Sequence, residues 1–178
     1  MRTITALLVA LLAFGVSSAS AEDVVSAEAD MAARDTLALF LKTDPSIEEF
    51  MKGAAGFAVF PKVGKAGFIV GGSHGNGVLY EGDKATGSAT ITSGQIGLVA
   101  GVESFSELIV LQTPDVLERF KSGTFSWDAK AGATAAKAGA ATNAQFADGV
   151  AVFVTNQGGL MGDISVGAQK FSFTPVPE

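Results

Sequence analysis

The spacing of apolar residues along the chain predicts three helices. In residues 24–42 apolar side chains recur at steps of three and four, as they do on one face of an α-helix. Asp44 as N-cap, with Pro45 in the first helical position, predicts a second, short helix that ends near Gly53. A third helix is predicted over residues 113–121, which begin with a threonine N-cap and a proline and are followed by glycine.

Short runs of β-branched and aromatic residues, separated by glycines, predict strands in the rest of the chain. The predicted strands cover residues 56–60, 67–70, 77–80, 88–92, 95–102, 107–112, 149–155, 160–166 and 171–173. The turns between them are too short for crossover helices, so the sheet should be largely antiparallel. We therefore predict an α+β fold: a largely antiparallel sheet, curled into a barrel-like or sandwich-like form, with N-terminal helices and one mid-chain helix.

The first 21 residues have the pattern of a cleavable export signal. Arg2 gives a positive start, residues 4–16 are almost entirely apolar, and Ala19-Ser20-Ala21 has the small-x-small form of a cleavage site. The apolar run is shorter than a membrane anchor requires, so cleavage is expected after Ala21. This predicts a periplasmic or secreted protein whose mature part, residues 22–178, forms a single domain.

Composition narrows the classes of function. The 178 residues include no cysteine and a single histidine, His74, so disulfides, thiolate metal sites and two-histidine metal sites are excluded, and no metal or cofactor is expected. Twelve Lys and Arg against 18 Asp and Glu give a net charge of -6, which is the wrong sign for a nucleic-acid binder. No recognisable catalytic set surrounds Ser73 and His74, so we predict that the protein is not an enzyme.

Several segments resemble one known family. The run GFAVFPKVGKAGFIVGG at residues 56–72, followed by GNGVL at 75–79, resembles the opening of the SYLF domain. Further segments are similar to that family in the same order: residues 94–97, the helix around Phe120 and residues 158–165. The resemblance covers about residues 27–173 and identifies the chain as an exported bacterial member of the SYLF domain family.

The resemblance implies a lipid-binding module without enzymatic activity. Members of the family are described as binding phosphoinositides and membranes, and some eukaryotic members bind actin, which has no target in a bacterial envelope. Eukaryotic membrane binding is attributed partly to a basic helix ahead of the domain, whereas Glu22, Asp23, Glu28 and Asp30 make the mature start of this chain acidic. We therefore expect local binding of lipid headgroups or acyl chains at the cell envelope.

Two neighbouring segments provide candidates for headgroup binding. Lys62 and Lys65 lie between two predicted strands, so both ammonium groups are expected to project from one tight turn toward a phosphate. Residues 71–77 are dense in glycine and predict a hairpin turn whose N–H groups could hold an anion. A solvated turn and a plain hairpin are the alternatives. The candidates are Lys62, Lys65, Gly72, Ser73, His74 and Gly75.

Aromatic and basic residues near the third helix are candidates for a membrane-interface edge, although core packing of the aromatic rings is favoured, since large aromatic side chains are mostly buried. The candidates are Phe125, Trp127, Lys121 and Lys130. Residues 129–144, rich in alanine and glycine, fit a strand, a helix or a loop, and a closely packed strand is favoured. This segment or an exposed sheet edge supports a second hypothesis, a module for protein–protein interaction or self-assembly at the envelope.

Overall fold

The computed structural model describes residues 25–67, 70–96, 102–123, 125–127, 134–135, 141–156 and 169–177. Its helices are α1 (Ala27–Thr43), α2 (Ile47–Met51) and α3 (Pro114–Lys121), with a 3₁₀ helix at Ala141–Asn143. Its strands are β1 (Gly56–Gly67), β2 (Val70–Glu81), β3 (Lys84–Ile96), β4 (Val102–Leu111), β5 (Ser126–Trp127), β6 (Thr134–Ala135), β7 (Val150–Asn156) and β8 (Gln169–Pro175). The predicted signal segment 1–21 and the predicted strand 160–166 lie outside these residues.

The described strands form one eight-stranded sheet in the order β5-β8-β3-β2-β1-β4-β7-β6. Its six central strands, from β8 to β7, pair antiparallel, and only the two-residue β6 pairs parallel with its neighbour. The predicted α+β class and the largely antiparallel sheet are therefore confirmed. Within the described residues no pairing joins the two end strands, so the sheet is not closed and a barrel-like form is not supported.

Helices cover both faces of the sheet. One face packs against α3, and we call its apolar cluster the α3-side core. The other face packs against α1 and α2 and forms the α1-side core. Four rings in the α3-side core pack directly against one another with centroids 5.2–6.2 Å apart; they belong to Phe60, Phe120, Phe125 and Phe171. In this part of the molecule the phenylalanine-rich interior is filled by ring contacts.

Helices α1 and α3 begin where their cap residues indicate. The Ser26 side chain accepts from the Ala29 N–H at 3.1 Å at the start of α1, and the Thr113 side chain accepts from the Val116 N–H at 3.4 Å at the start of α3. Past the end of α3, Gly123 has a φ of +67°. The predicted cap and end of α3 are confirmed, whereas α1 begins at Ala27, three residues after its predicted start. Of the helices described, none combines the length and the hydropathy needed to cross a bilayer.

The second helix begins later than predicted, and Asp44 has a different role. Ser46, not Asp44, occupies the N-cap position of α2. The buried Asp44 carboxylate instead accepts from the Ser46 N–H at 3.1 Å and the Ser46 hydroxyl at 2.5 Å through Oδ1, and from the Ala141 N–H at 2.8 Å through Oδ2. It thereby joins the end of α1 to the 3₁₀ helix 97 residues further along the chain.

Asp44→Ala is expected to lower the free energy of unfolding by about 2 kcal/mol, because it leaves the buried Ala141 N–H without this acceptor. Asp35→Ala, which removes an exposed carboxylate from α1, serves as the control and should change stability by less than about 0.5 kcal/mol. Urea unfolding of both variants measures the difference. Equal midpoints for the two variants would show that the Asp44 hydrogen bonds contribute little.

Candidate functional site

The segment that carries Lys62 and Lys65 is not a turn, and the prediction of a turn is wrong. Strand β1 runs through it without a break and pairs with β2 on one side and β4 on the other. The register of both pairings shifts by one residue near Pro61, which marks a β-bulge. A bulge is one of the few places in a central strand that accept proline, because proline has no N–H to donate to the ladder.

The glycine-rich segment 71–77 is also not a turn, contrary to prediction. It lies within strand β2, and the turn that follows β2 contains Gly82, which has a φ of +60°. No glycine in 71–77 has a positive φ. Gly75 is instead required by a close neighbour, since a Cβ there would lie 2.8 Å from the Lys62 carbonyl oxygen. These glycines admit the adjacent strand and do not form an anion-binding turn.

The six headgroup candidates do come together, on two paired strands. Backbone register places Lys62 opposite Asn76 and Lys65 opposite Ser73, and the remaining candidates occupy the same stretch of β2. Ser73 is buried, with its hydroxyl 2.5 Å from that of Ser93, whereas His74 is exposed. Because successive strand residues alternate between faces, Ser73 and His74 project from opposite sides of the sheet and cannot act as a pair. The Lys65 side chain lies outside the described part.

Lys62 lines a groove of about 450 Å³ between the start of α1 and the sheet. The α1 side contributes the apolar side chains of Val25, Ala29 and Ala32. The sheet side contributes Pro61, next to Lys62 on β1, and Val78 on β2, two residues from Asn76, which pairs with Lys62. The groove therefore offers an apolar wall with an exposed ammonium group. Of the headgroup candidates whose side chains the structure describes, Lys62 is the one that lines this groove.

Hydrogen bonds at the β1 bulge and at the α1 contact give the groove its shape. The Ser106 hydroxyl donates to the Pro61 carbonyl at 2.7 Å and so satisfies a backbone acceptor at the bulge. On the helix side, the Tyr80 hydroxyl donates to Asp30 Oδ1 at 2.7 Å, and the Arg34 guanidinium lies 5.3 Å from the centre of the Tyr80 ring. These contacts hold α1 over the sheet and fix one wall of the groove.

A second polar site, which the sequence analysis missed, lies inside the α3-side core. Glu107 on β4 and Gln169 on β8 are both fully buried, and Gln169 Nε2 donates to Glu107 Oε2 at 3.0 Å. Three strands separate β4 from β8 in the sheet order, which would hold them roughly 19 Å apart in a flat sheet. The contact therefore shows that the sheet curls toward its α3 side.

Two oxygens of the Glu107–Gln169 pair have no hydrogen-bond partner among the described residues. They are Glu107 Oε1 and Gln169 Oε1, and both are buried. Burial raises the pKa of Glu107 to about 8, although the hydrogen bond from Gln169 acts in the opposite direction. Glu107 is therefore mostly protonated at neutral pH. A sequence signal does exist: Glu107 alternates with Phe105, Ile109 and Leu111, which all belong to the same core.

The two membrane-interface candidates whose side chains the structure describes, Phe125 and Lys121, do not form an exposed edge. Phe125 is buried in the α3-side core, as the favoured alternative predicted, and is therefore not an interface residue. The Lys121 ammonium is paired with Glu81 at 2.6 Å and with Glu118 at 3.2 Å. Lys130 and the Trp127 side chain lie outside the described part. In the alanine- and glycine-rich segment 129–144, Thr134–Ala135 forms a strand as predicted, whereas Ala141–Asn143 forms a 3₁₀ helix, so the strand prediction is wrong there. Residues 129–133 and 136–140 lie outside the described part.

No protein-family model matches this chain, and no curated protein sequence matches it. The resemblance to the SYLF domain therefore stays a prediction based on the residues that carry it. The geometry that bears on function consists of the Lys62 groove on the α1 side of the sheet and the buried Glu107–Gln169 pair on the α3 side.

Proposed function

We propose that this protein is an exported, non-enzymatic lipid-binding module that binds a phospholipid headgroup in the Lys62 groove. The observation that carries the proposal is the position of Lys62, an exposed ammonium group on a groove whose helix wall is largely apolar. A phospholipid complements this groove, because its phosphate can bind the Lys62 ammonium group while its glycerol and the first acyl carbons contact the apolar wall. The export pattern of residues 1–21 and the SYLF resemblance point the same way.

The proposal favours headgroup binding over enclosure of whole acyl chains. The phenylalanine rings of the α3-side core contact one another, so that core is occupied by side chains where it is described. The net charge of -6 opposes adsorption to an anionic bilayer through the overall field. Binding must therefore depend on a local contact, and among the cations whose side chains the structure describes Lys62 is the one that lines the groove.

Lys62→Glu is expected to weaken vesicle binding roughly thirtyfold, because it removes an attractive charge near the phosphates and adds a repulsive one, and each change is worth about 1 kcal/mol. The measurement is flotation of the mature protein with vesicles of mixed phospholipids at low salt. Lys84→Glu makes the same charge change at an exposed position outside the groove and should retain most of the binding.

Two outcomes would count against this function. One is wild-type protein that floats with no vesicle composition. The other is an equal loss of binding in the Lys62 and Lys84 variants, which would show that only total charge matters. Thermal unfolding of both variants provides the check that each is folded, and exposed positions such as these should leave stability within about 0.5 kcal/mol of wild type.

A further inference from the structure

The Lys62 groove also carries a negative charge. Glu28, in the first turn of α1, lines the groove from the helix side, while Lys62 lines it from β1. Both side chains are exposed, and neither forms an ion pair with another residue of the described part. The groove thus presents one carboxylate and one ammonium that are not neutralised by direct contact with each other.

The other polar side chains that line the groove are neutral. Ser26 at the helix start, Asn76 on β2 and Ser88 on β3 contribute hydroxyl and amide groups to the groove. Such groups can donate to phosphate and ester oxygens or accept from an ammonium, so they suit a ligand with both kinds of polar group. A purely anionic headgroup could use Lys62 but would also meet the Glu28 carboxylate, and like charges at close range are unfavourable.

We propose that the groove selects a zwitterionic phospholipid headgroup, one that carries both a phosphate and an ammonium, over a purely anionic headgroup. In this arrangement the phosphate lies against Lys62 and the ammonium lies against Glu28, while Val25, Ala29 and Ala32 contact the apolar part of the lipid nearest the headgroup. The inference rests on the proposed lipid-binding function and specifies its ligand class. The net negative charge of the protein acts in the same direction, because it opposes approach to anionic surfaces.

The test compares two kinds of vesicle and two matched variants. The zwitterionic vesicles contain equal parts of phosphatidylethanolamine and phosphatidylcholine, and the anionic vesicles contain phosphatidylglycerol. Glu28→Gln removes the carboxylate from the groove. Asp35→Asn removes an exposed carboxylate from the same helix outside the groove, so it changes the net charge by the same amount.

Wild-type protein is expected to bind the zwitterionic vesicles more tightly. Glu28→Gln should weaken that binding about fivefold and strengthen binding to the anionic vesicles by about the same factor, since each change corresponds to one charge at the lipid surface. Asp35→Asn should change both affinities less than about twofold, because its charge lies outside the groove.

The outcomes separate this inference from the function on which it rests. If wild type binds vesicles and Lys62→Glu weakens that binding, but wild type prefers the anionic vesicles or Glu28→Gln leaves the preference unchanged, the zwitterion inference fails and the lipid-binding proposal stands. The inference also fails if Glu28→Gln and Asp35→Asn shift the preference equally. If wild type binds neither kind of vesicle, both proposals are overturned.

Discussion

Glu107→Gln is expected to remove a large pH dependence from the stability of the fold. In the folded protein the pKa of Glu107 is raised from 4.5 to about 8 by burial, so the native state holds a proton that the unfolded chain releases above about pH 4.5. Stability therefore falls as pH rises between these two values and levels off above the folded-state pKa. Over this window the loss attributable to Glu107 is on the order of 4 kcal/mol.

Glutamine is the informative replacement because it keeps the shape of the side chain and cannot ionise. Its carbonyl can still accept from Gln169 Nε2, and its amide can donate to Gln169 Oε1, which has no partner among the described residues of the wild type. The variant should match or exceed wild-type stability at pH 5 and exceed it by about 4 kcal/mol at pH 9.

Chemical unfolding at pH 5, 7 and 9 checks this prediction. Glu118→Gln is the matched control, since Glu118 is 71% exposed and should leave the pH profile of the wild type unchanged. A wild-type profile that is flat from pH 5 to pH 9, or a Glu107→Gln profile parallel to it, would mean that Glu107 titrates near its ordinary pKa despite its burial.

Gly77→Ala is expected to destabilise the protein by about 3 kcal/mol through overpacking. A Cβ at this position would overlap the Val59 carbonyl oxygen and would lie 2.6 Å from Cδ1 of the Phe60 ring. The first of these is backbone in a central strand, and the Phe60 side chain is fully buried, so neither neighbour can move without disturbing the sheet or the α3-side core.

Gly94→Ala is the matched control for this variant. Gly94 also lies in a strand, but a Cβ there would meet no heavy atom within 4 Å. Because alanine restricts the unfolded chain more than glycine does, this change should be neutral or stabilising by up to about 1 kcal/mol. Urea midpoints of the two variants give the comparison, and a similar midpoint for both would rule out steric exclusion as the reason for glycine at position 77.

Helices α1 and α3 could be predicted because the sequence signals for a helix are local. The N-cap, proline and apolar stripe of α3 lie within ten residues of one another, and the structure forms each of them. The class of fold followed from strand runs joined by short connections, and its antiparallel pairing is confirmed. These features depend on residues that are close in the sequence, and sequence patterns can therefore predict them.

The errors concern features that depend on residues far apart in the sequence. The glycines of segment 71–77 suggest a turn, but Gly77 is required by the Val59 carbonyl oxygen and the Phe60 ring on the adjacent strand. Glu107 and Gln169 are 62 residues apart, and their contact depends on the curvature of the whole sheet. Lys62 was identified from its charge, whereas its groove exists only because α1 packs over that part of the sheet.

The β-bulge at Pro61 changes which side chains of β1 face the α3-side core. Before it, Ala58 and Phe60 face the α3-side core; after it, Val63 does, so even-numbered positions give way to odd-numbered ones. The extra residue is what allows Val63 to enter the core while Lys62 lines the groove. A change in chain length here would exchange the inner and outer faces of everything that follows on the strand. The number of residues in the bulge is therefore constrained as tightly as their identity.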